Sequence, residues 1–245
     1  MFPQLYTAAS GLIAGERALE LVTNNLANVR TRGYRPDRPV FSSYLPPGSA
    51  PRAAGPAGPV PRGVALAGSY RPDLPGPIRP TGAPLDLAIQ GKGWFRVATP
   101  RGLRLTRDGS FQRDAEGRLV TAAGDPVLDD RGRPIRLPAG RVEIATDGTV
   151  RAGDNVIARI GLADAEGREL EREGGSLWRP AGTPPVLAAG ETHLLQGHLE
   201  ESGVNATEEL VRMIEAQRMF EMQQRMVHLT ANELARRALE IGNPR

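Results

Sequence analysis

The feature that most constrains the fold is a heptad repeat in the last forty residues of the chain. With Leu210 at position a, every d residue is apolar and no a residue is charged, which predicts one long helix with a narrow apolar seam. The a positions are Leu210, Gln217, Gln224, Ala231 and Ala238, and the d positions are Met213, Phe220, Val227, Leu234 and Ile241. Asn205 with Glu208 fits a capping box at the helix start, and Gly242 with Pro244 fits a stop. One stripe on so long a helix requires a partner helix.

A second heptad repeat lies at the other end of the chain. Leucines recur every seven residues at Leu5, Leu12, Leu19 and Leu26, with Ala8, Gly15 and Val22 between them. The repeat predicts a first helix that ends near Asn28 and pairs with the C-terminal helix in a coiled-coil-like manner. The alternative is two ordinary amphipathic helices that pack on a central domain.

Three asparagines, Asn24, Asn25 and Asn28, occupy the last turns of the predicted first helix. Asparagine is a poor helix former, so these residues could cap and fray the helix end locally. Their amides could instead form hydrogen bonds across packed helices. Spacing alone leaves both interpretations open.

Residues 31–80 contain twelve of the 22 prolines, including Pro46-Pro47 and the run from Pro56 to Pro61. Proline lacks the backbone donor, so we expect neither a helix nor a long ladder of strand hydrogen bonds here. The segment is predicted to be an extended, partly polyproline II connector.

From Thr81 the sequence changes to short alternating runs separated by turn residues. The strand candidates are residues 85–89, 94–98, 103–106, 118–121, 142–145, 156–163, 176–179 and 193–199. No crossover helix fits between them, so the sheets should be mostly antiparallel. Trp94, Phe95 and Phe111 are expected in the core. The predicted fold class is α+β, with an N-terminal helix at 1–30, the connector at 31–80, an all-β domain at 81–200 and a C-terminal helix at 201–245.

Composition and motifs argue against most enzymatic chemistry. The 245 residues include no cysteine, which excludes a disulfide scaffold, a thiolate metal site and a thiol nucleophile. The three histidines show no metal-ligand spacing, and no phosphate loop, dinucleotide fingerprint or nucleophile elbow is present. Asp108 and Asp129-Asp130 are explained as turn residues rather than a cation site. We expect no catalytic residue, no metal, no cofactor and no enzymatic activity, although two carboxylates of a hydrolase could still meet in the fold.

Charge and hydropathy limit the partners. The net charge is +3, and residues 30–80 carry eight arginines. They are spread among prolines with few aromatic residues, which is typical neither of a basic patch nor of a stacking platform, so no nucleic acid is expected. No run approaches the ~20 apolar residues of a membrane span. The N-terminus has no basic residue before Glu16 and its apolar residues are striped, so we expect no cleaved signal peptide.

Several motifs resemble the signatures of bacterial flagellar rod and hook proteins, in the order of that family and over nearly the whole chain. They are LYTAASG at 5–11, NNLANVRTRGY at 24–34, LDLAIQGKGWF at 85–95, TRDGSF at 106–111, GRLVT at 117–121, GDPVL at 124–128 and VNATEELVRMIEAQR at 204–218. Two positions depart from the pattern. Arg30 replaces an uncharged polar residue, and Ser202-Gly203-Val204 replaces Ser-Asn-Val.

The resemblance implies a structural axial subunit that is exported unfolded by the flagellar type III apparatus and assembles with other rod subunits. Its place would be the rod that crosses the periplasm, where it would help to transmit torque. Chain length and the Met-rich residues 220–227 resemble the proximal-rod members more than the distal-rod members. The alternatives are a distal-rod or hook-type subunit and a secreted β-domain enzyme or binding module. The residues expected at the assembly interface are Leu5, Leu12, Leu19, Leu26, Asn24, Asn25, Asn28, Leu210, Met213, Gln217, Phe220, Val227 and Leu234.

Overall fold

Contacts within the chain divide it into two units. The computed structural model describes residues 3–44, 63–70, 75–165, 170–174, 176–187 and 192–241. We call residues 3–27, 37–44, 63–70 and 205–241 the helical unit, and residues 28–36 with the described residues of 75–204 the β unit. Neither unit is one continuous stretch of sequence.

The helical unit contains two long helices, α1 at Pro3–Ala27 and α2 at Ala206–Ile241. The end of α1 confirms the predicted boundary near Asn28. At the start of α2, Asn205 Oδ1 accepts the backbone N–H groups of Thr207 at 3.1 Å and Glu208 at 3.5 Å. These bonds satisfy two of the backbone donors that a helix start leaves open, as the capping box predicted. The predicted stop at Gly242 and Pro244 lies outside the described residues.

The helical unit also contains a β-hairpin that the sequence did not predict. Strand β1 (Arg38–Tyr44) pairs antiparallel with β2 (Gly63–Tyr70) along their whole length, with a bulge after Val40. The expectation that residues 31–80 form no long ladder was therefore wrong. Proline density had been averaged over the segment, whereas the two strands contain only Pro39. Pro46-Pro47 and the run from Pro56 to Pro61 lie outside the described residues.

The β unit is built from short strands, and all of their pairings are antiparallel, as predicted. In chain order they are β3 (Ile78–Pro80), β4 (Leu87–Gln90), β5 (Trp94–Thr99), β6 (Gly102–Thr106), β7 (Gln112–Arg113), β8 (Leu119–Val120), β9 (Glu143–Ile144), β10 (Thr149–Ala152), β11 (Asn155–Arg159), β12 (Leu162–Ala163), β13 (Leu170–Gly174), β14 (Leu177–Pro180), β15 (His193–Gln196) and β16 (His198–Glu200).

The strands form one five-stranded sheet in the order β12-β5-β6-β14-β13, one three-stranded sheet in the order β11-β10-β9, and the pairs β15-β4, β16-β3 and β7-β8. Two predicted strands change partner midway. Residues 193–199 break at Gly197, whose φ of 72° separates β15 from β16. Residues 156–163 break at Gly161, where a Cβ would lie 2.3 Å from the Asp129 carbonyl oxygen. Both breaks therefore depend on glycine.

Two clusters of buried apolar residues form the core of the β unit. The larger cluster is Leu87, Ile89, Phe95, Val97, Phe111, Leu119, Val127, Ile135, Leu137, Val142, Ile144, Val150, Ile160, Leu162, Leu187 and Leu194. The smaller cluster contains Trp94 and Trp178, whose rings meet edge-on with centroids 5.7 Å apart. The prediction that Trp94, Phe95 and Phe111 belong to the core is confirmed.

Residues 28–36 are fixed within the β unit by close contacts. The N–H of Gly33 donates to the Glu200 carbonyl at 3.0 Å. Gly33 has a φ of +63°, and a Cβ on it would lie 2.6 Å from the carbonyl carbon of Arg107, so this position requires glycine. Next to it, the guanidinium of Arg172 lies 4.1 Å from the ring centroid of Tyr34 and 4.8 Å from that of Trp178.

The buried carboxylate of Glu200 also holds residues 28–36 in place, through Arg35. Glu200 is 1% exposed and forms ion pairs with Arg35 at 3.5 Å and Arg107 at 3.1 Å. Its other neighbour is the N–H of Gly76, which donates at 3.1 Å. A buried charge is tolerated only when it is paired and hydrogen-bonded, and Glu200 meets both conditions.

Candidate assembly interface

A buried polar cluster joins α1, the base of the hairpin and α2 in the helical unit. The Asn25 amide nitrogen donates to Glu209 Oε1 at 2.8 Å and to the Asp37 carbonyl at 2.9 Å. In return, the N–H of Asp37 donates to Asn25 Oδ1 at 3.0 Å. Asn25 is 1% exposed and Glu209 is fully buried. One amide thus holds two segments that are 184 residues apart in sequence.

The charge of Glu209 is matched by two arginines. Arg38 Nη1 lies 2.8 Å and Arg212 Nη1 lies 3.1 Å from Glu209 Oε2. Burial raises the pKa of the Glu209 carboxyl, but hydrogen bonds from Asn25 and Arg38 and the charge of Arg38 outweigh it and hold that pKa below its usual range. We call Asn25, Asp37, Arg38, Glu209 and Arg212 the polar clamp. It joins the last turns of α1 and the start of β1 to the first turn of α2.

The three asparagines of the sequence signature have different surroundings. Asn25 forms its bonds across packed elements, which is one of the two interpretations that spacing left open. Asn28 behaves as a local cap, since its Oδ1 accepts the hydroxyl of Thr31 at 3.0 Å and its carbonyl accepts the Thr31 N–H at 3.1 Å. Asn24 is exposed. The tandem asparagines of the signature therefore do not share one role.

The predicted seam of α1 faces other parts of the helical unit. Leu12, Leu19 and Leu26 are half-buried, and α1 packs against α2 and β2. Gly15 is buried, and a Cβ on it would lie 2.9 Å from Gln223 Oε1 of α2. A small residue at this position lets the two helices approach closely. Leu5 lies in α1, but its side chain is outside the described part of the structure.

The seam of α2 is shifted by one residue from the predicted heptad. Met213, Phe220 and Val227 at the d positions are half-buried, whereas Leu210 and Gln217 at the a positions are exposed. The positions that alternate with the d residues are instead Glu209, which is buried, and Ala216, Gln223 and Thr230, which are half-buried. The assignment of the a positions to the intramolecular seam was therefore wrong. It relied on the absence of charge, whereas an ionised glutamate begins this row. The side chain of Leu234 lies outside the described part.

A second apolar stripe runs along the exposed side of α2. It consists of Met219, Met222, Met226 and Leu229, which are between 53% and 65% exposed. Their spacing of three, four and three residues is itself a heptad seam. We call these four residues the outer stripe. The Met-rich residues 220–227 contain Met222 and Met226, and the heptad spacing of all four residues is visible in the sequence.

The hairpin exposes apolar side chains as well. Val40 and Phe41 of β1 lie opposite the bulge, whose extra residue is on β2, and are 41% and 48% exposed, and Tyr70 at the end of β2 is 55% exposed. The outer stripe and the hairpin therefore both expose apolar side chains that contact with another molecule would cover.

The described residues show no catalytic constellation. They include no group of three or more potential metal ligands, and no helix among them is both long and apolar enough to cross a membrane. Asp129 Oδ1 accepts the N–H groups of Arg131 at 2.9 Å and Arg133 at 2.7 Å, so its turn explains the acidic pair of the sequence. Asp108 Oδ1 likewise accepts the N–H and hydroxyl of Ser110 at 3.0 Å and 2.7 Å.

Three family profiles match the chain in sequence order. A profile described as "Flagella basal body rod protein" matches residues 5–35, which include most of α1 and Asn25. "Flagellar hook protein FlgE/F/G D1 domain" matches residues 88–152 of the β unit. "Flagellar basal body rod FlgEFG protein C-terminal" matches residues 195–241, which include Glu209 and α2.

Individual proteins match over almost the full length. The chain is 36% identical over 239 residues to the flagellar basal-body rod protein FlgF of Mesorhizobium japonicum, with 95% of each chain covered. It is 35% identical over 240 residues to the FlgF of Caulobacter vibrioides, with 96% of each covered. It is 33% identical over 255 residues to the rod protein FlgG of Buchnera aphidicola, covering 93% of this chain and 95% of the relative. This chain belongs to the family of flagellar basal-body rod and hook proteins.

Proposed function

We propose that this chain is a structural subunit of the flagellar basal-body rod, that it occupies the proximal rod, and that it polymerises through its helical unit. The observation that carries the proposal is the exposure of a heptad-spaced apolar stripe on the same helix that bears the family signature. An axial subunit needs such a surface, because a rod transmits torque only if its subunits interlock. No enzymatic role is part of the proposal.

Two contact layers are proposed for the helices. Leu12, Leu19 and Leu26 of α1 with Met213, Phe220 and Val227 of α2 line the inner layer. Leu210 and Gln217, which are exposed within one chain, take part in contacts to neighbouring subunits together with the outer stripe. The contacted surface on one subunit differs from the surface that it contacts on the next. Such heterologous contacts form a closed ring only if the rotation between successive subunits returns to the first subunit. Otherwise they generate a helical rod.

The proximal position is supported by the relatives named FlgF, which match at 35–36% identity over 95–96% of both chains. Because the rod lies outside the cytoplasm, the subunit must be exported. We propose that the flagellar type III apparatus exports it without cleavage and that it then lies in the rod segment that crosses the periplasm.

The experiment is a gene deletion in the source bacterium, followed by complementation and a density map of the isolated basal body. The account predicts loss of swimming, restoration by the wild-type gene, and subunit density in the proximal rod that accommodates α1 and α2 at the inner wall. Density confined to the distal rod or the hook would contradict the proximal assignment. Normal swimming of the deletion strain would contradict the rod function itself.

A further inference from the structure

A basic groove on the surface of the β unit is not explained by its fold. It has a volume of about 410 Å³ and is lined by Val29, Arg30, Arg32, Arg79, Pro80, Thr81, Leu199, Glu201 and Ser202. Leu199 and Ser202 are buried at its floor. The one acidic lining residue, Glu201, already pairs with Arg79 at 3.1 Å. The excess positive charge of the groove therefore comes from Arg30 and Arg32.

Arg30 and Arg32 are exposed, and neither forms an ion pair with any described residue. Arg35 belongs to the same short segment but, unlike these two arginines, is buried and paired with Glu200. Folding thus pairs one arginine of the segment and leaves two without an ion pair in the described part of the chain.

The turn that carries the two arginines is held firmly. The N–H of Tyr34 donates to the Thr31 carbonyl at 3.3 Å, and the N–H of Gly203 donates to the Tyr34 carbonyl at 2.9 Å. The hydroxyl of Ser176 donates to the Arg32 carbonyl at 3.0 Å. A fixed backbone lowers the entropy that is lost when the two guanidinium groups bind a ligand.

The opposite charge is present elsewhere on the same chain. Glu16 and Glu20 of α1 are exposed and form no ion pair with any described residue. They are one helical turn apart, which places their Cβ atoms about 6 Å from each other. Arg17 is also exposed and projects about 100° around the helix from Glu16 and about 60° from Glu20, but it forms no ion pair with either. The pair can therefore present two carboxylates together.

We infer that the Arg30–Arg32 groove binds the Glu16–Glu20 pair of a second copy of this chain in the rod. This inference rests on the proposed function, because polymerisation is what brings a second copy into fixed register. The groove belongs to the β unit and the carboxylates belong to the helical unit, so the contact is head-to-tail and extends the polymer. Charge complementarity of this kind fixes register and rejects wrong neighbours more than it adds affinity.

The test is a charge reversal in the complemented deletion strain. Arg30→Glu with Arg32→Glu places like charges together at every contact, and Glu16→Arg with Glu20→Arg does the same from the other side. Each pair should abolish swimming, and the four substitutions combined should restore it. A matched control, Arg136→Glu with Arg151→Glu, reverses two exposed arginines of the β unit outside the groove and should swim like the wild type.

A second measurement uses the absence of cysteine from the chain. Arg30→Cys combined with Glu16→Cys should yield covalent multimers when basal bodies are treated with a short bismaleimide, and either substitution alone should not yield a ladder. Failure of the fourfold reversal to restore swimming, or absence of the ladder, would overturn the proposed occupant in favour of another anionic partner. Loss of swimming in the control pair would overturn it as well. If the wild-type gene restores swimming while these tests fail, the rod function stands and only the groove assignment is lost.

Discussion

The β unit buries most of its large apolar side chains, whereas the helical unit leaves many of them exposed. In the β unit, apolar side chains form two buried clusters, and Val156 and Val186 are the only large apolar residues exposed among its described residues. In the described part of the helical unit, exposed apolar residues run along α2 and the hairpin, and no comparable cluster forms. The β unit can therefore supply its own core, whereas the helical unit needs neighbours to cover its surface.

Each unit nevertheless contains a buried glutamate with two arginine partners. Glu200 is paired inside a unit with its own core, so removing one interaction leaves most of that unit's stabilising contacts. Glu209 is paired in a unit with little apolar burial, so the polar clamp carries a larger share of its stability. Substitution of the buried glutamate should therefore destabilise the helical unit far more than the β unit.

The largest expected effect is that of Glu209→Ala. It leaves Arg38 without its buried partner and removes an acceptor from Asn25, and breaking a buried ion pair in this way costs about 3–5 kcal/mol. We expect no incorporation into basal bodies and no swimming, while thermal unfolding of the β unit in the purified chain changes little. Glu215→Ala on the same helix is the control, since Glu215 is exposed and forms no ion pair with any described residue. Normal incorporation of the Glu209→Ala chain would show that the clamp is dispensable.

A charge in the seam should have the next largest effect. Leu12→Asp places a carboxylate at a half-buried position between packed elements, which should cost about 2–3 kcal/mol and block rod growth. Thr23→Asp introduces the same charge at an exposed position of α1 and should be tolerated. Swimming halos compare the two strains directly. Swimming halos of equal size would contradict the assignment of Leu12 to a packed face of α1.

Gly33→Ala tests the β unit instead. Alanine at a φ of +63° is strained, and its Cβ would approach the Arg107 carbonyl carbon to 2.6 Å, so we expect a loss of about 1–3 kcal/mol. Thermal unfolding of the purified chain should shift to lower temperature. Gly82→Ala is the control for the strain alone, because it has a φ of +73° with open space around its Cβ position. Equal shifts in the two variants would show that the close approach to Arg107 adds nothing.

The smallest expected effect is on pH dependence. Burial opposes ionisation of Glu209, but Asn25 and Arg38 more than compensate, so its pKa is lower in the folded than in the unfolded chain. Its contribution is therefore fully present above the unfolded pKa of about 4.3 and is lost as the pH falls through the folded pKa. Release of the subunit from isolated basal bodies should increase over this acidic range in the wild type and depend more weakly on pH in Glu209→Gln. Identical profiles would exclude Glu209 as the titrating group.

Sequence patterns predicted the parts of the fold that depend on local periodicity. Heptad spacing located α1 and α2, and alternation located most strands of the β unit. The hairpin was missed because its paired ends, Arg38 and Tyr70, enclose a proline-rich segment whose average composition hides two strands that contain only Pro39. Asn25 was singled out, but its partner Glu209 could not be identified, because a hydrogen bond between positions so far apart leaves no trace in spacing. Glu209 itself was overlooked since a charged residue does not look like part of a seam.

The central claim is that the β unit is stable alone and the helical unit depends on neighbouring subunits. Hydrogen exchange on the purified monomer, compared with isolated basal bodies, tests it most directly. We predict slow exchange in the β unit in both samples, with residues 5–26 and 210–238 exchanging fast in the monomer and slowly in the rod, because assembly covers the outer stripe. Slow exchange of both helices in the monomer, equal to that of the β unit and independent of concentration, would contradict the claim.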